Sequence, residues 1–149
     1  MTLKINEANY PQYKKVFEII WSHESTLYPP AALKNADPVE ILNSWEQKSM
    51  ALARRGLRAG LNDALVSLRE LPDGMLREID LDLKKNNLPS LAILTSIVKK
   101  TIRKVLKDKK ISKENEYYMV KEFLMSPENE LTEDERTLLY QYLEAFELA

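Results

Sequence analysis

The chain has 149 residues, 44% of them hydrophobic, with 22 Lys and Arg against 23 Asp and Glu. That length is close to the common domain size of roughly 100–150 residues, so one domain is expected. The absence of cysteine excludes disulfides, zinc ribbons, iron–sulfur clusters and thiol catalysis, and only three glycines disfavour an all-β fold with many tight turns.

The first predicted helix runs from about Tyr10 to His23. Asn9 is its expected N-cap and Pro11 sits in its first turn, where a missing N–H costs nothing. Tyr13, Val16, Phe17, Ile20 and Trp21 fall at i, i+3, i+4, i+7 and i+8, an amphipathic stripe. A loop follows through Tyr28-Pro29-Pro30 to Ala36. Residues 1–36 thus read as an N-terminal helix with a Pro-rich loop arm, and 37–149 as a helical core.

Asp37-Pro38-Val39-Glu40 combines a cap, a first-turn proline and an early acid. Val39, Leu42, Trp45, Met50, Leu52, Leu57, Leu61, Leu65 and Leu68 continue at near-helical spacing. This predicts either one helix to about Arg69 or a break at Gly56 or Gly60, since glycine costs roughly 1 kcal/mol against alanine in a helix. Gly56, Gly60 and Ala64 also form a small-residue row, which reads as close internal packing or a bend.

Pro72-Asp73-Gly74 punctuates the chain. Met75, Ile79 and Leu83 share a helical face, while Ile79, Leu81 and Leu83 alternate as in a strand. Helix is the preferred reading, because no second convincing strand exists to pair with it. Ser90 opens a helix through Leu91, Leu94, Val98, Ile102 and Val105 to about Lys107. Ser112 is the expected cap of the next, through Tyr117, Val120, Phe123 and Leu124. Thr132-Glu133-Asp134-Glu135 is a capping box leading into Leu138, Leu139, Tyr142, Leu143 and Phe146. The fold class is therefore all-α, a bundle of about six helices.

Charge is divided near the C-terminus. Lys99, Lys100, Arg103, Lys104, Lys107, Lys109, Lys110 and Lys113 face only Asp108 within their run, whereas ten acids follow from Glu114 onward against Lys121 and Arg136. The basic run reads as a solvated helix face, as a phosphate-binding patch acting by counterion release, or as a flank that the acidic tail covers. The acids Glu128, Glu130, Glu133, Asp134 and Glu135 read as a surface for a basic partner, although several also suit helix capping. Of Tyr117 and Tyr118, neighbours about 100° apart on a helix, one is expected to pack and the other to be half-exposed as an interface anchor.

No catalytic set emerges. His23 is the only histidine, so neither a Ser-His-Asp triad nor a metal-binding His pair can be built. Asp80 and Asp82 lack the glycine and distal glutamate of a calcium loop. No cofactor or metal is expected, and carboxylates on separate helices remain the one open route to an enzyme. Residues 1–18 carry no long apolar run, so a cytoplasmic location is expected.

Arg54-Arg55-Gly56-Leu57-Arg58-Ala59-Gly60-Leu61-Asn62-Asp63, Asn87-Leu88-Pro89-Ser90-Leu91, Lys109-Lys110-Ile111, Glu116-Tyr117-Tyr118-Met119-Val120 and Leu131-Thr132-Glu133-Asp134-Glu135 make the stretch from Ala53 to Glu147 resemble small helical bacterial proteins of poorly defined function. Compact, cysteine-free helical chains of this size also resemble immunity proteins, which neutralise toxins delivered between bacteria. That resemblance implies a cytosolic inhibitor covering a toxin's active face, and carries over no functional residue. Residues 1–52 fall outside it, as an added helical pair or an arm around a partner. The resulting expectation is a non-enzymatic protein-binding module. The alternatives are a nucleic-acid-binding regulator using Lys99 to Lys113 and an enzyme with a carboxylate site.

Overall fold

The computed structural model describes residues 4–33, 37–125 and 131–149. Among these there are seven α-helices of eleven or more residues, one single-turn α-helix and two short 3-10 turns, with no strand. They are α1 (Tyr10–Glu24), the single turn α2 (Pro30–Leu33), α3 (Pro38–Lys48), α4 (Met50–Val66), α5 (Asp73–Lys85), α6 (Leu91–Asp108), α7 (Glu114–Met125) and α8 (Glu133–Leu148).

The expected long second helix breaks, but not at a glycine. Ser49 adopts an extended backbone and ends α3, and its hydroxyl oxygen accepts from the Leu52 N–H to cap α4. One residue therefore serves as C-cap and N-cap, and α3 folds back onto α4. Gly56 and Gly60 stay inside α4 because aromatic rings need their space. A Cβ on Gly56 would lie 2.1 Å from Trp45 Cζ3, and one on Gly60 would lie 3.2 Å from Phe17 Cε1. The small-residue row thus receives two side chains, one from α3 and one from α1.

α4 is the centre of the bundle, packing on α1, α3, α6 and α7. Ala53, Leu57, Leu61 and Leu65 repeat every fourth residue and are all buried. α1 is packed into this core rather than held apart from it: Val16 and Ile20 are buried beside the α4 leucines. Its N-terminus departs from expectation. The Asn9 side chain bonds backward, accepting from the Asn6 N–H and donating to the Lys4 carbonyl, so it makes no helix-capping bond. α1 is tied to α3 by Lys14, paired with Glu46 at 2.5 Å, and by the Tyr10 hydroxyl, which donates to the same carboxylate.

Met75–Leu83 is helical, within α5. Ile79 and Leu83 face the core, and the 3.6-residue period leaves Leu81 largely exposed. α5 ends in a Schellman motif: Leu88 N–H donates to the Leu83 carbonyl, Asn87 N–H to that of Lys84, and Asn87 takes φ 58°. Ser90 caps α6 as expected, aided by Asp80 of α5, whose carboxylate accepts from the Leu91 N–H at 2.8 Å. α6 stops where Lys109 turns left-handed at φ 57°. Thr132 and Glu135 form the expected capping box of α8.

A second cluster of buried side chains joins Ile102 and Val105 of α6, Ile111, Val120 and Leu124 of α7, and Leu139 and Leu143 of α8. α6 and α7 contribute to both clusters, and so carry α8 against the rest of the molecule.

Candidate protein-binding surface

α7 and α8 run back along each other. The Tyr117 ring of α7 stacks on Phe146 near the end of α8, with centroids 5.2 Å apart. The Tyr117 hydroxyl donates to Glu147, and that bond to a carboxylate raises its pKa, helped by burial. Tyr118 meets Tyr117 edge-on and is 45% exposed. One tyrosine packs and its neighbour faces outward, as the helical period requires.

Between the two helices lies a groove of about 400 Å³, lined by Lys121, Leu124, Met125, Tyr140, Leu143, Glu144 and Glu147. Leu124 and Leu143 are buried and form its floor, while Met125 is 71% exposed and Tyr140 52%. On α7, Tyr118, Lys121 and Met125 follow at i, i+3 and i+7. On α8, Glu133, Thr137, Tyr140, Glu144 and Glu147 advance by alternating steps of four and three. All eight are exposed, so each helix presents one continuous stripe beside the groove.

The acids expected to meet a partner separate into groups. Glu133 and Asp134 are exposed in the first turn of α8. Glu135 is turned onto its own helix start, its carboxylate accepting from the Thr132 N–H at 3.0 Å. Glu128 and Glu130 lie outside the described residues.

The basic run is also divided. Lys104 bridges Asp108 at 3.1 Å and Glu116 at 3.0 Å. Glu116 is a fully buried carboxylate on α7 that also accepts from the Ser112 N–H. Burial pushes its pKa up, but the Ser112 N–H and the Lys104 and Lys113 charges outweigh this and hold it below the usual carboxylate range. Ser112 was the expected cap of α7; the helix instead opens at Glu114, with the Lys113 carbonyl accepting from the Tyr117 N–H. Lys99 and Arg103 line a smaller groove of about 230 Å³ with Glu135 and Leu131, so the acidic helix lies against part of the basic flank. Lys100, Lys107, Lys109 and Lys110 are exposed.

Carboxylates from separate helices do meet elsewhere. Glu122 of α7 lies beside Asp63 of α4, and burial, then that neighbouring carboxyl, raises the Glu122 pKa. Glu24, at the end of α1, is raised by burial and by the charges of Asp63 and Glu70. Among the described residues no group of three or more acids and histidines is placed to hold a metal ion. His23 points its Nε2 at Asp82, 2.6 Å away, with Glu78 3.7 Å from Nδ1, and so joins α1 to α5.

The chain matches no protein-family model, no curated protein and no solved structure. Among the described residues no helix is long and apolar enough to cross a membrane.

The α7–α8 groove escaped sequence reasoning, which reached only the neighbouring Tyr117-Tyr118 pair. Met125 and Tyr140 are ordinary members of amphipathic helices until the pairing of α7 with α8 shows that both lie outside the core. Glu116 was hidden for the opposite reason: a glutamate in the first turn of a helix normally faces water.

Proposed function

We propose that this protein is a non-enzymatic protein-binding module whose contact surface is the outer face of α7 and α8. The observation that carries the reading is the exposure of Met125 and Tyr140 on one groove, with Tyr118 exposed one turn before Lys121 on the same helix. Aromatic residues and methionine are enriched in protein interfaces, and isolated exposed apolar residues would carry no such meaning. Glu144 lines the groove, and Glu133 and Asp134 stand exposed in the first turn of the same helix; acids placed so speed association with a basic partner. The resemblance to immunity proteins implies a toxin as that partner, inhibited by occlusion of its active face. A stable complex of this kind buries about 1,200–2,000 Å² in total, so the surface extends beyond the groove onto the first turn of α8.

Co-purification from the native host tests the reading. Wild-type bait should retain one protein in stoichiometric amount, and the Glu133→Lys/Asp134→Lys double variant should retain much less of it. Equal recovery by both baits would remove α8 from the interface.

A further inference from the structure

We infer that the α7–α8 groove receives an amphipathic helix with a basic flank, supplied by the partner protein. This rests on the binding reading above and names the shape and charge of what binds.

Three features lead to it. First, the α8 stripe Glu133, Thr137, Tyr140, Glu144 and Glu147 advances by 3.5 residues on average, the repeat with which one helix presents a seam to another. From Glu133 to Glu147 it rises through fourteen steps, about 21 Å at roughly 1.5 Å per residue. Second, both walls are helices whose backbone groups bond internally. An extended segment would find no sheet edge to join, whereas a helix brings its own satisfied backbone and needs only side-chain contacts. Third, the charge is one-sided. Glu144 and Glu147 line the groove with a single cation, Lys121, and Glu133 continues the exposed α8 stripe beyond it. An occupant with apolar residues toward Met125, Tyr140 and the Leu124–Leu143 floor, and Lys or Arg toward α8, complements both properties. A helix with an acidic flank would set like charges against each other.

The test uses the full chain and two synthetic helical peptides of identical leucine pattern, one with lysine and one with glutamate on the flank. Binding is followed by fluorescence anisotropy. The lysine peptide should bind, and the glutamate peptide should bind about tenfold or more weakly. Tyr140→Ala and Glu133→Lys/Glu144→Lys should each weaken the lysine peptide about tenfold, the scale of a hot-spot loss, while Glu40→Lys on exposed α3 should leave it unchanged. Circular dichroism checks that each variant is folded. Equal binding of the two peptides, no binding of either, or indifference to Tyr140→Ala would overturn the inference. A natural partner that still contacts Tyr140 while both peptides fail would leave the binding surface standing and refute only the helical occupant.

Discussion

The Lys104 ammonium donates to the Glu116 carboxylate at 3.0 Å, and so joins the basic flank of α6 to a fully buried acid on α7. The pair explains how α7 is seated. Glu116 also holds the Ser112 N–H, fixing the turn between the helices, and α7 in turn supplies one wall of the groove. Removing the acid takes from the Ser112 N–H and the Lys104 ammonium the carboxylate they both bond. Glu116→Ala should therefore destabilise the fold by about 1–3 kcal/mol, read from urea unfolding, and an unchanged midpoint would show that the turn does not depend on it. Because the Glu116 pKa is depressed in the fold, its contribution is present above the ordinary glutamate pKa and fades as pH falls through the folded value. The gap between wild type and Glu116→Gln should narrow in acid.

The Asp63–Glu122 pair has the opposite sign. The folded pKa of Glu122 lies above its unfolded value, so its stabilising contribution is complete in acid and is lost as pH rises through the folded pKa. Glu122→Gln should thus be more stable than wild type at neutral pH, with the advantage shrinking toward pH 4. Thermal melts across that range decide it. An advantage that stays constant with pH would mean that the two carboxyls do not share a proton.

Two glycines should respond in opposite directions. Gly56→Ala drives a Cβ into the Trp45 ring, and the displaced ring should cost about 1–3 kcal/mol with a changed near-ultraviolet dichroism. A Cβ on Gly74 has nothing within 4 Å, so Gly74→Ala in the first turn of α5 should stabilise by about 0.5–1 kcal/mol.

Lys109 ends α6 in a left-handed conformation that costs an L-residue roughly 1–2 kcal/mol and a glycine almost nothing. Lys109→Gly should raise the unfolding midpoint. A lower midpoint would show that the lysine side chain makes a stabilising contact outweighing the backbone cost.

Most helix boundaries were legible because they rest on local chemistry. Asp37-Pro38, Ser90 and Thr132-x-x-Glu135 each satisfy orphan N–H groups with their own side chains, and the structure keeps all three. Asn9 and Ser112 carry the same composition, yet the Asn9 side chain accepts from the Asn6 N–H and the Ser112 backbone N–H donates to Glu116, rival local bonds between which residue type does not choose. The break at Ser49 was missed for a related reason. Glycine signals a break by propensity, but Trp45 and Phe17 occupy the space at Gly56 and Gly60, and tertiary packing overrides propensity there. Of the candidate surface, Glu133 and Asp134 were legible from the acidic run, and Tyr117-Tyr118 as a pair of which one faces outward; that it is Tyr118 follows from the packing of Tyr117 on Phe146. Tyr140, Met125 and the groove floor depend on how α7 meets α8, and no single-helix periodicity contains that information.

The claim that α7 and α8 form the contact surface is tested most directly by photo-crosslinking in the native host. A photoreactive aromatic residue at position 140 should capture one discrete partner, and the same residue at exposed Leu81 on α5 should capture none. The position-140 adduct should disappear when Glu133→Lys and Asp134→Lys are added. Capture at position 81 with none at position 140 would contradict the account.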